Sequence, residues 1–303
     1  MSRIASRTSR AITLASYIPG RLSELVPPQA ERCGTSPTAG AVRVLVGALR
    51  GLRGVRSTAY VPLDGGPIIS VDLKTPHGRR LFGYGFCEPA ARVMQSLLGP
   101  GDAMIDGGAN IGLFTLVAAA RVGPEGQVIA CEPSPTTMAL LRANVDSNGF
   151  DWVRLHEVAL AEAPDRLRLQ VFAPGSGFSS FAPADTTTSA HVDVEVTTLD
   201  DLAADLMEEV RLVKLDVEGA ELRALRGARL LLEEVRPDFI VELEPEHLAR
   251  QGGSVAEVQA LFDDAAYVGY SIVGGRLERL LGRWQRPAGD PNIVVRPRER
   301  ADR

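Results

Sequence analysis

The sequence predicts an α/β fold organised as an open, mostly parallel sheet, and three observations predict it. The stretch Ala103 to Gly112, AMIDGGANIG, reads as a short apolar strand that turns at Asp106 through Gly107 and Gly108. It restarts as a helix whose apolar residues Ile111, Phe114 and Val117 recur at helical spacing. The strand-then-helix pattern repeats downstream, in Gln127 to Cys131 followed by Pro135 to Ser147 and in Arg211 to Val217 followed by Leu222, Leu225 and Leu232. Carboxylates stand at strand ends: Asp106, Glu132, Asp216 and Glu242. Open α/β sheets bind ligands at the carboxyl ends of their strands, so these positions are the first candidates for chemistry.

In chain order, residues 1 to about 58 are rich in Ala, Arg, Gly and Pro with weak helical patterning at 10–16 and 41–50, and read as an extension before a main domain, 59–303. IISVDL at 68–73 reads as a strand, with a return strand expected at Arg80 to Tyr84, so a β-hairpin leads into the fold. Glu88-Pro89 opens a helix through Leu97, because Pro suits the first helical position. Ser134 is an N-cap for a helix that Asn148-Gly149 closes. Val153 to Val158 supplies a third strand, with Glu162 turning out at the same edge. Leu167 to Phe172 and His191 to Val196 alternate like a hairpin whose tip, Pro174 to Ser189, is a long polar loop. In that loop Phe178, Ser179 and Ser180 are candidates for lining an acceptor site, against a plain solvated linker. Thr198 to Asp201 caps a helix through Met207. The fifth strand is Phe239 to Leu243; a helix at Ser254 to Ala266, a strand near Tyr270 to Val273 and a closing edge strand at Asn292 to Val295 complete the chain.

Composition narrows the partners. With 303 residues and 45% apolar content the chain can bury a large core, and 33 basic against 38 acidic side chains leave no positive field for nucleic acid or anionic membrane. Cys33, Cys87 and Cys131 show neither metal nor redox spacing, so a reduced, cytoplasmic setting is expected. Arg3, Arg7 and Arg10 precede AITLASYI, which is too short to span a bilayer, so no stable membrane insertion is expected. Only Lys74 and Lys214 are lysines.

The glycine turn reads D-x-G-x-N-x-G rather than G-x-G-x-x-G. Asp106 would repel a pyrophosphate and welcome an amine, which argues for S-adenosylmethionine over NAD. Asp106, Gly108, Asn110 and Gly112 are the candidates for holding it. Glu132, at the end of the next strand, has the spacing of an acid that accepts from both ribose hydroxyls, and Glu162 is a candidate adenine contact. A tight loop with a solvated Asp, and a helix-dipole acid at Glu132, are the plainer alternatives. Lys214 and Asp216, two apart, point to one side near the end of a strand that should be apolar, and a buried lysine needs a carboxylate. Glu242 stands at the end of the neighbouring strand, with Glu244 and His247 beyond it. A core ion pair of Lys214 with Asp216 or Glu242 competes with catalysis by Asp216, Lys214, Glu242 and His247. No helical pair of ligands at metal spacing supports a metal.

Together IDGGANIG, CEPSP, LVKLDVEGAEL and RPDFIVELEPEHL, in this order from about Gly99 to Glu244, resemble the FkbM family of S-adenosylmethionine-dependent methyltransferases. The resemblance implies a class I, Rossmann-like methyltransferase sheet of seven strands, the last antiparallel, with helices on both faces. It also implies methyl transfer to hydroxyls of sugars or natural products. Gly107 stands where the family often has Val. The rival expectations are an NAD-dependent oxidoreductase on the same topology and a methyltransferase fold that has lost catalysis and acts as a binding partner. No Asn/Asp-Pro-Pro-aromatic run suited to a flipped base is present, so a small-molecule or glycan acceptor is expected rather than nucleic acid.

Overall fold

In the middle of the chain, runs of apolar residues, interrupted only by Lys214, leave no exposed face. Ala103 to Ile105, Val128 to Cys131, Leu212 to Leu215, Phe239 to Val241 and Ile293 to Val295 are all buried. Successive strand residues point to opposite faces, so burial at every position means that both faces of the sheet are covered. The structure is a computed structural model and describes residues 57–84, 88–171, 179–180, 190–206 and 209–301. The helices expected at 10–16 and 41–50, together with Met207 and Phe178, lie outside the described residues.

The chain divides into two units, Met1–Pro62 with Ser70–Cys87, and Leu63–Ile69 with Glu88–Arg303. In the first unit, β1 (Thr58–Pro62) neighbours β2 (Ile68–Asp72), whose first residues belong to the second unit. The expected return strand at 80–84 is instead helix α1 (Pro76–Tyr84). Thr75 explains the difference: its hydroxyl accepts from the Gly78 N–H at 2.8 Å, so Thr-Pro starts a helix rather than a turn. Gly78 is needed there, since a Cβ would meet the Asp72 carbonyl oxygen at 2.1 Å.

The second unit carries an eight-stranded sheet. Its strands are β3 (Ala103–Gly107), β4 (Gln127–Cys131), β5 (Val153–His156), β10 (Val210–Leu215), β11 (Asp238–Glu242), β12 (Tyr267–Val273), β13 (Arg276–Arg279) and β14 (Asn292–Pro297). They run in the order β13-β12-β14-β11-β10-β3-β4-β5, with β11, β10, β3, β4 and β5 parallel and β14 antiparallel to both its neighbours. This is the class I methyltransferase arrangement with one strand more than the expected seven. The extra strand is β13, which β12 reaches through Gly274 and Gly275, both at positive φ, a pair suited to a two-residue hairpin. The strand at Asn292 is not at an edge, as expected, but lies between β11 and β12.

Helices α2 (Pro89–Leu97), α3 (Leu113–Val122), α4 (Pro135–Asn148), α5 (Leu199–Ala203), α6 (Glu221–Arg226), α7 (Pro245–Arg250) and α8 (Val255–Asp264) complete this unit. Ser134 caps α4, accepting from the Thr137 N–H, and Gly149 ends it in the left-handed region. On one face Ile105, Val213, Leu215, Phe239 and Val241 pack against Leu199, Leu222, Leu225 and Phe262. Phe262 sits 5.2 Å from Phe239 and 5.9 Å from Trp284, so truncating it to Ala costs about 3–5 kcal/mol. The opposite face of β10 and β11 receives α2.

The expected third strand at 153–158 is divided. β5 ends at His156, and β6 (Val158–Leu160) leaves for a second sheet, ordered β6-β9-β7-β8, with β7 (Asp165–Val171), β8 (Ser179–Ser180) and β9 (Ala190–Thr197). The expected hairpin is present in it, with Leu167 opposite Val194 and Leu169 opposite Val192. Ser179 and Ser180 pair through their backbone with Val171 and Gln170. The helix capped by Thr198 is α5, which ends at Ala203. Among the described residues no helix is long and apolar enough to cross a membrane.

Candidate active site at the carboxyl ends of the central strands

The glycine turn after β3 is built by the protein's own contacts. Gly108 and Ala109 donate their N–H groups to the Cys131 carbonyl at 3.0 and 2.9 Å, tying the turn to the end of β4. Gly108 has φ +77°, and a Cβ there would lie 1.8 Å from the Asp216 carbonyl oxygen, so this glycine makes room for the neighbouring strand's backbone. Asn110 holds φ +52°, a conformation that Asn tolerates better than most residues, and its side-chain oxygen accepts from the Ile111 N–H at 2.8 Å. Gly112, at φ +99°, begins α3, and a Cβ on it would lie 2.6 Å from Leu141 Cδ1.

Glu132 joins this turn. Its Oε2 accepts from the Asn110 N–H at 3.1 Å and its Oε1 from the Ser134 N–H at 3.0 Å. Burial raises the carboxyl to about 7 against the pull of those two N–H groups, with Asp106 and Asp216 adding to the rise. Each oxygen keeps a second acceptor direction, which suits a vicinal diol. This pair of acceptor oxygens therefore fits a nucleoside sugar.

Beneath the turn lies a buried ionic network. Lys214 is 1% exposed and Asp106 0%. They face each other across β10 and β3, where Lys214 stands in register with Asp106. Lys214 Nζ is 3.6 Å from Asp106 Oδ1, 3.4 Å from Asp216 Oδ2 and 4.6 Å from the centre of the Phe114 ring. Thr115 donates its hydroxyl to Asp106 Oδ2 at 2.6 Å. Burial, the largest influence on Lys214, opposes its charge, but Asp216, Asp106 and Glu242 together hold the ammonium above its ordinary value. Of the partners expected for Lys214, Asp216 is in place and Asp106 joins it. Thr115 was missed, although it is a polar residue inside LFTLVAAA. Asp106 turns its oxygens to Thr115 and Lys214, not to an open crevice.

Asp216, just beyond β10, leads a loop of carboxylates. Glu218 sits at φ +54°, and Glu221 Oε1 accepts from the Val217 and Gly219 N–H groups at 3.0 and 3.2 Å, fixing the loop. Gly219, at φ +100°, would bring a Cβ within 2.3 Å of the His247 carbonyl oxygen, so this loop and α7 touch backbone to backbone. His247 Nδ1 lies 3.2 Å from Glu218 Oε2 and 4.0 Å from Glu242 Oε2. Burial, then Asp216, Glu221 and Glu218, raise Glu242 to about 9. Burial, then Asp216 and Glu221, raise Glu218 to about 8, and burial raises Glu221 to about 7.

The structure therefore brings Asp216, Glu242 and His247 into one cluster with Lys214 below it, and adds Glu218 and Glu221, which were quoted in the sequence motif without a role. Glu162 is placed apart in its bonding, as its Oε2 accepts from Arg223 Nε at 2.9 Å. Glu244 is held by Arg286. Among the described residues no three His, Cys, Asp or Glu side chains are arranged to hold a metal ion.

Known proteins are similar to this chain in sequence. A family model described as the methyltransferase FkbM domain matches residues 106–270. Methyltransferase 1 of Beauveria bassiana (strain ARSEF 2860) is 28% identical over 188 residues, covering 55% of this chain and 73% of that protein. Methyltransferase sdnD of Sordaria araneosa is 28% identical over 206 residues, covering 58% of this chain and 76% of that protein. Among solved structures, the methyltransferase FkbM from Methylobacillus flagellatus KT is 18% identical with a TM-score of 0.39, and the match covers 84% of this chain and 59% of that one. The family match takes in more than half the chain, from the glycine turn through the acidic loop and α7 into β12, and the chain belongs to the FkbM family of S-adenosylmethionine-dependent methyltransferases.

Proposed function

We propose that this methyltransferase methylates a hydroxyl oxygen on a sugar or other small natural product. The observation that carries the reading is the junction of two groups at the carboxyl ends of β3, β4, β10 and β11. One is a nucleoside-type cradle, Glu132 anchored by Asn110 and Ser134. The other is a cluster of proton acceptors, Asp216, Glu242 and His247. When bound, S-adenosylmethionine supplies an activated methyl group, so the protein has to orient the acceptor and take its proton.

Glu132 accepts from the ribose hydroxyls, and the backbone of the turn from Gly108 through Asn110 to Gly112 faces the methionine end. Asp106 and Lys214 hold β3 and β10 in register and set the charge beneath the site, because neither has surface to offer a ligand. Glu162 remains the candidate for the adenine edge, at the cost of its bond to Arg223. One of Asp216, Glu242 and His247 removes the hydroxyl proton. Residues 1–58 are assigned to an extension and 59–303 to the methyltransferase domain, with a cytoplasmic location that follows from the sequence's composition and cysteine usage. An NAD-dependent reading needs glycine where this chain has the buried Asp106.

The test is transfer of a deuterated methyl group from labelled S-adenosylmethionine to a panel of glycosides and macrolides, read by mass spectrometry. A labelled methyl ether is the expected product. Label found only on nitrogen or carbon would overturn the oxygen assignment.

A further inference from the structure

The three proton acceptors are not equally placed with respect to the glycine turn. Asp216 is bonded to it: its N–H donates to the Gly107 carbonyl at 3.1 Å, and its own carbonyl oxygen lies where a Cβ on Gly108 would come within 1.8 Å. Glu242 stands one strand farther from the turn, on β11, and adjacent strands are about 5 Å apart. His247 follows on α7, with Nδ1 4.0 Å from Glu242 Oε2.

Asp216 is also the most open of the three. Its side chain is 36% exposed, against 18% for Glu242 and 21% for His247. Oδ2 accepts from Lys214 Nζ at 3.4 Å, and among the described residues no group donates to Oδ1, which is left for a ligand. Lys214 divides its charge between Asp216 and Asp106, and Asp106 is wholly buried, so Asp216 is the carboxylate of this network that a ligand can reach. Burial, then the charge of Asp216, raises Glu242 to about 9 and Glu218 to about 8. Near neutral pH those two carboxyls keep their protons and donate rather than accept.

We propose that Asp216 is the catalytic base of the methyl transfer, its Oδ1 taking the acceptor's hydroxyl proton beside the cofactor's methyl group. This rests on the methyltransferase reading above. In the step, the hydroxyl proton passes to Oδ1 as the hydroxyl oxygen bonds to the methyl carbon, whose bond to sulfur breaks with the electron pair staying on sulfur. Asp216 is then a neutral acid, and its exposed side chain returns the proton to water. Lys214 holds Oδ2 throughout, so the carboxylate turns one fixed oxygen to the acceptor.

A carboxylate beside the methyl group also faces the sulfonium charge, and that is read without any acceptor. Wild type, Asp216→Asn and Asp216→Glu are titrated in a calorimeter with S-adenosylmethionine and with S-adenosylhomocysteine, the uncharged thioether. Asp216→Asn should weaken S-adenosylmethionine about threefold or more, as for one charge removed about 6 Å from another, and leave S-adenosylhomocysteine unchanged. Asp216→Glu keeps the charge and should keep the wild-type preference. On the glycosides that the wild type labels, Asp216→Asn should then lower turnover about 100-fold to 10,000-fold. Equal weakening of both ligands, or of neither, would overturn the proposal. So would Asp216→Asn turnover within about tenfold of wild type, or a larger loss in His247→Gln. A wild type that binds S-adenosylmethionine and labels no hydroxyl would overturn the O-methylation reading itself, and the base with it.

Discussion

Replacing Lys214 with Met tests how the centre of this fold is held. The ammonium is 1% exposed, between Asp106 Oδ1 at 3.6 Å and Asp216 Oδ2 at 3.4 Å. Met matches its volume and length, so packing on Phe114 is kept and only the charge is lost. Asp216 is 36% exposed at its side chain and recovers water. Asp106 has no surface and keeps only the Thr115 hydroxyl on its other oxygen. An uncompensated buried charge of this kind costs about 3–5 kcal/mol. At about 2–4 °C per kcal/mol for a domain of this size, the melting temperature should fall by about 6–20 °C. Adding Asp106→Asn should recover most of the loss, because the amide keeps a bond to Thr115 and needs no cation. Calorimetric melting of wild type, Lys214→Met and the double variant is the assay. A single variant melting within about 1 °C of wild type, or a double variant no better than the single, would refute the reasoning.

Four other outcomes follow from the geometry. The raised carboxyls of Glu132, Glu218, Glu221 and Glu242 bind protons more tightly folded than unfolded. The folded state therefore holds extra protons between the ordinary carboxylate range and pH 7–9, and stability of the cofactor-free protein should fall as pH rises through that window, by about 1.4 kcal/mol per unit for each titrating group; a melting temperature higher at pH 9 than at pH 6 would contradict this. Cofactor affinity should weaken about tenfold per pH unit below about 7, where Glu132 takes a proton and can no longer accept from both hydroxyls, and a flat profile from pH 5 to 8 would count against that role. Gly108→Ala should lower the urea unfolding stability by at least about 2 kcal/mol, from the left-handed backbone and the overlap with the Asp216 carbonyl, and a neutral substitution would show that the turn is softer than described. Deleting residues 1–35 should leave folding and cofactor binding intact, and a truncated protein without cooperative melting would show that the segment packs on the core.

Local signals were the ones a single sequence could carry. The glycine turn, Ser134 with Pro135 and Asn148-Gly149 each act within a few residues, and the structure places them as expected. Thr75-Pro76 and Gly274-Gly275 are equally local: the first caps a helix where a return strand at 80–84 was expected, and the second closes the hairpin to β13, which was not expected. The break at Glu157 had no local mark, because β5 and β6 differ only in which sheet they pair with. The interior position of β14 is likewise a matter of pairing between strands far apart in sequence. At the site, the need of Lys214 for a carboxylate was legible from burial alone. Its pairing with Asp106 was not, because it depends on β10 lying next to β3 in a given register. Glu218 meets His247 only because the loop after β10 folds onto α7, a contact that spacing along the chain does not record.

Calorimetric titration of the wild type and of Glu132→Ala with S-adenosylmethionine at pH 8 tests whether the crevice at Glu132 holds the cofactor as proposed. Micromolar binding by the wild type is predicted, weakened by about tenfold to a hundredfold in the variant as charge-assisted hydrogen bonds to the ribose are lost. No binding by the wild type, or equal affinity in the two proteins, would contradict it.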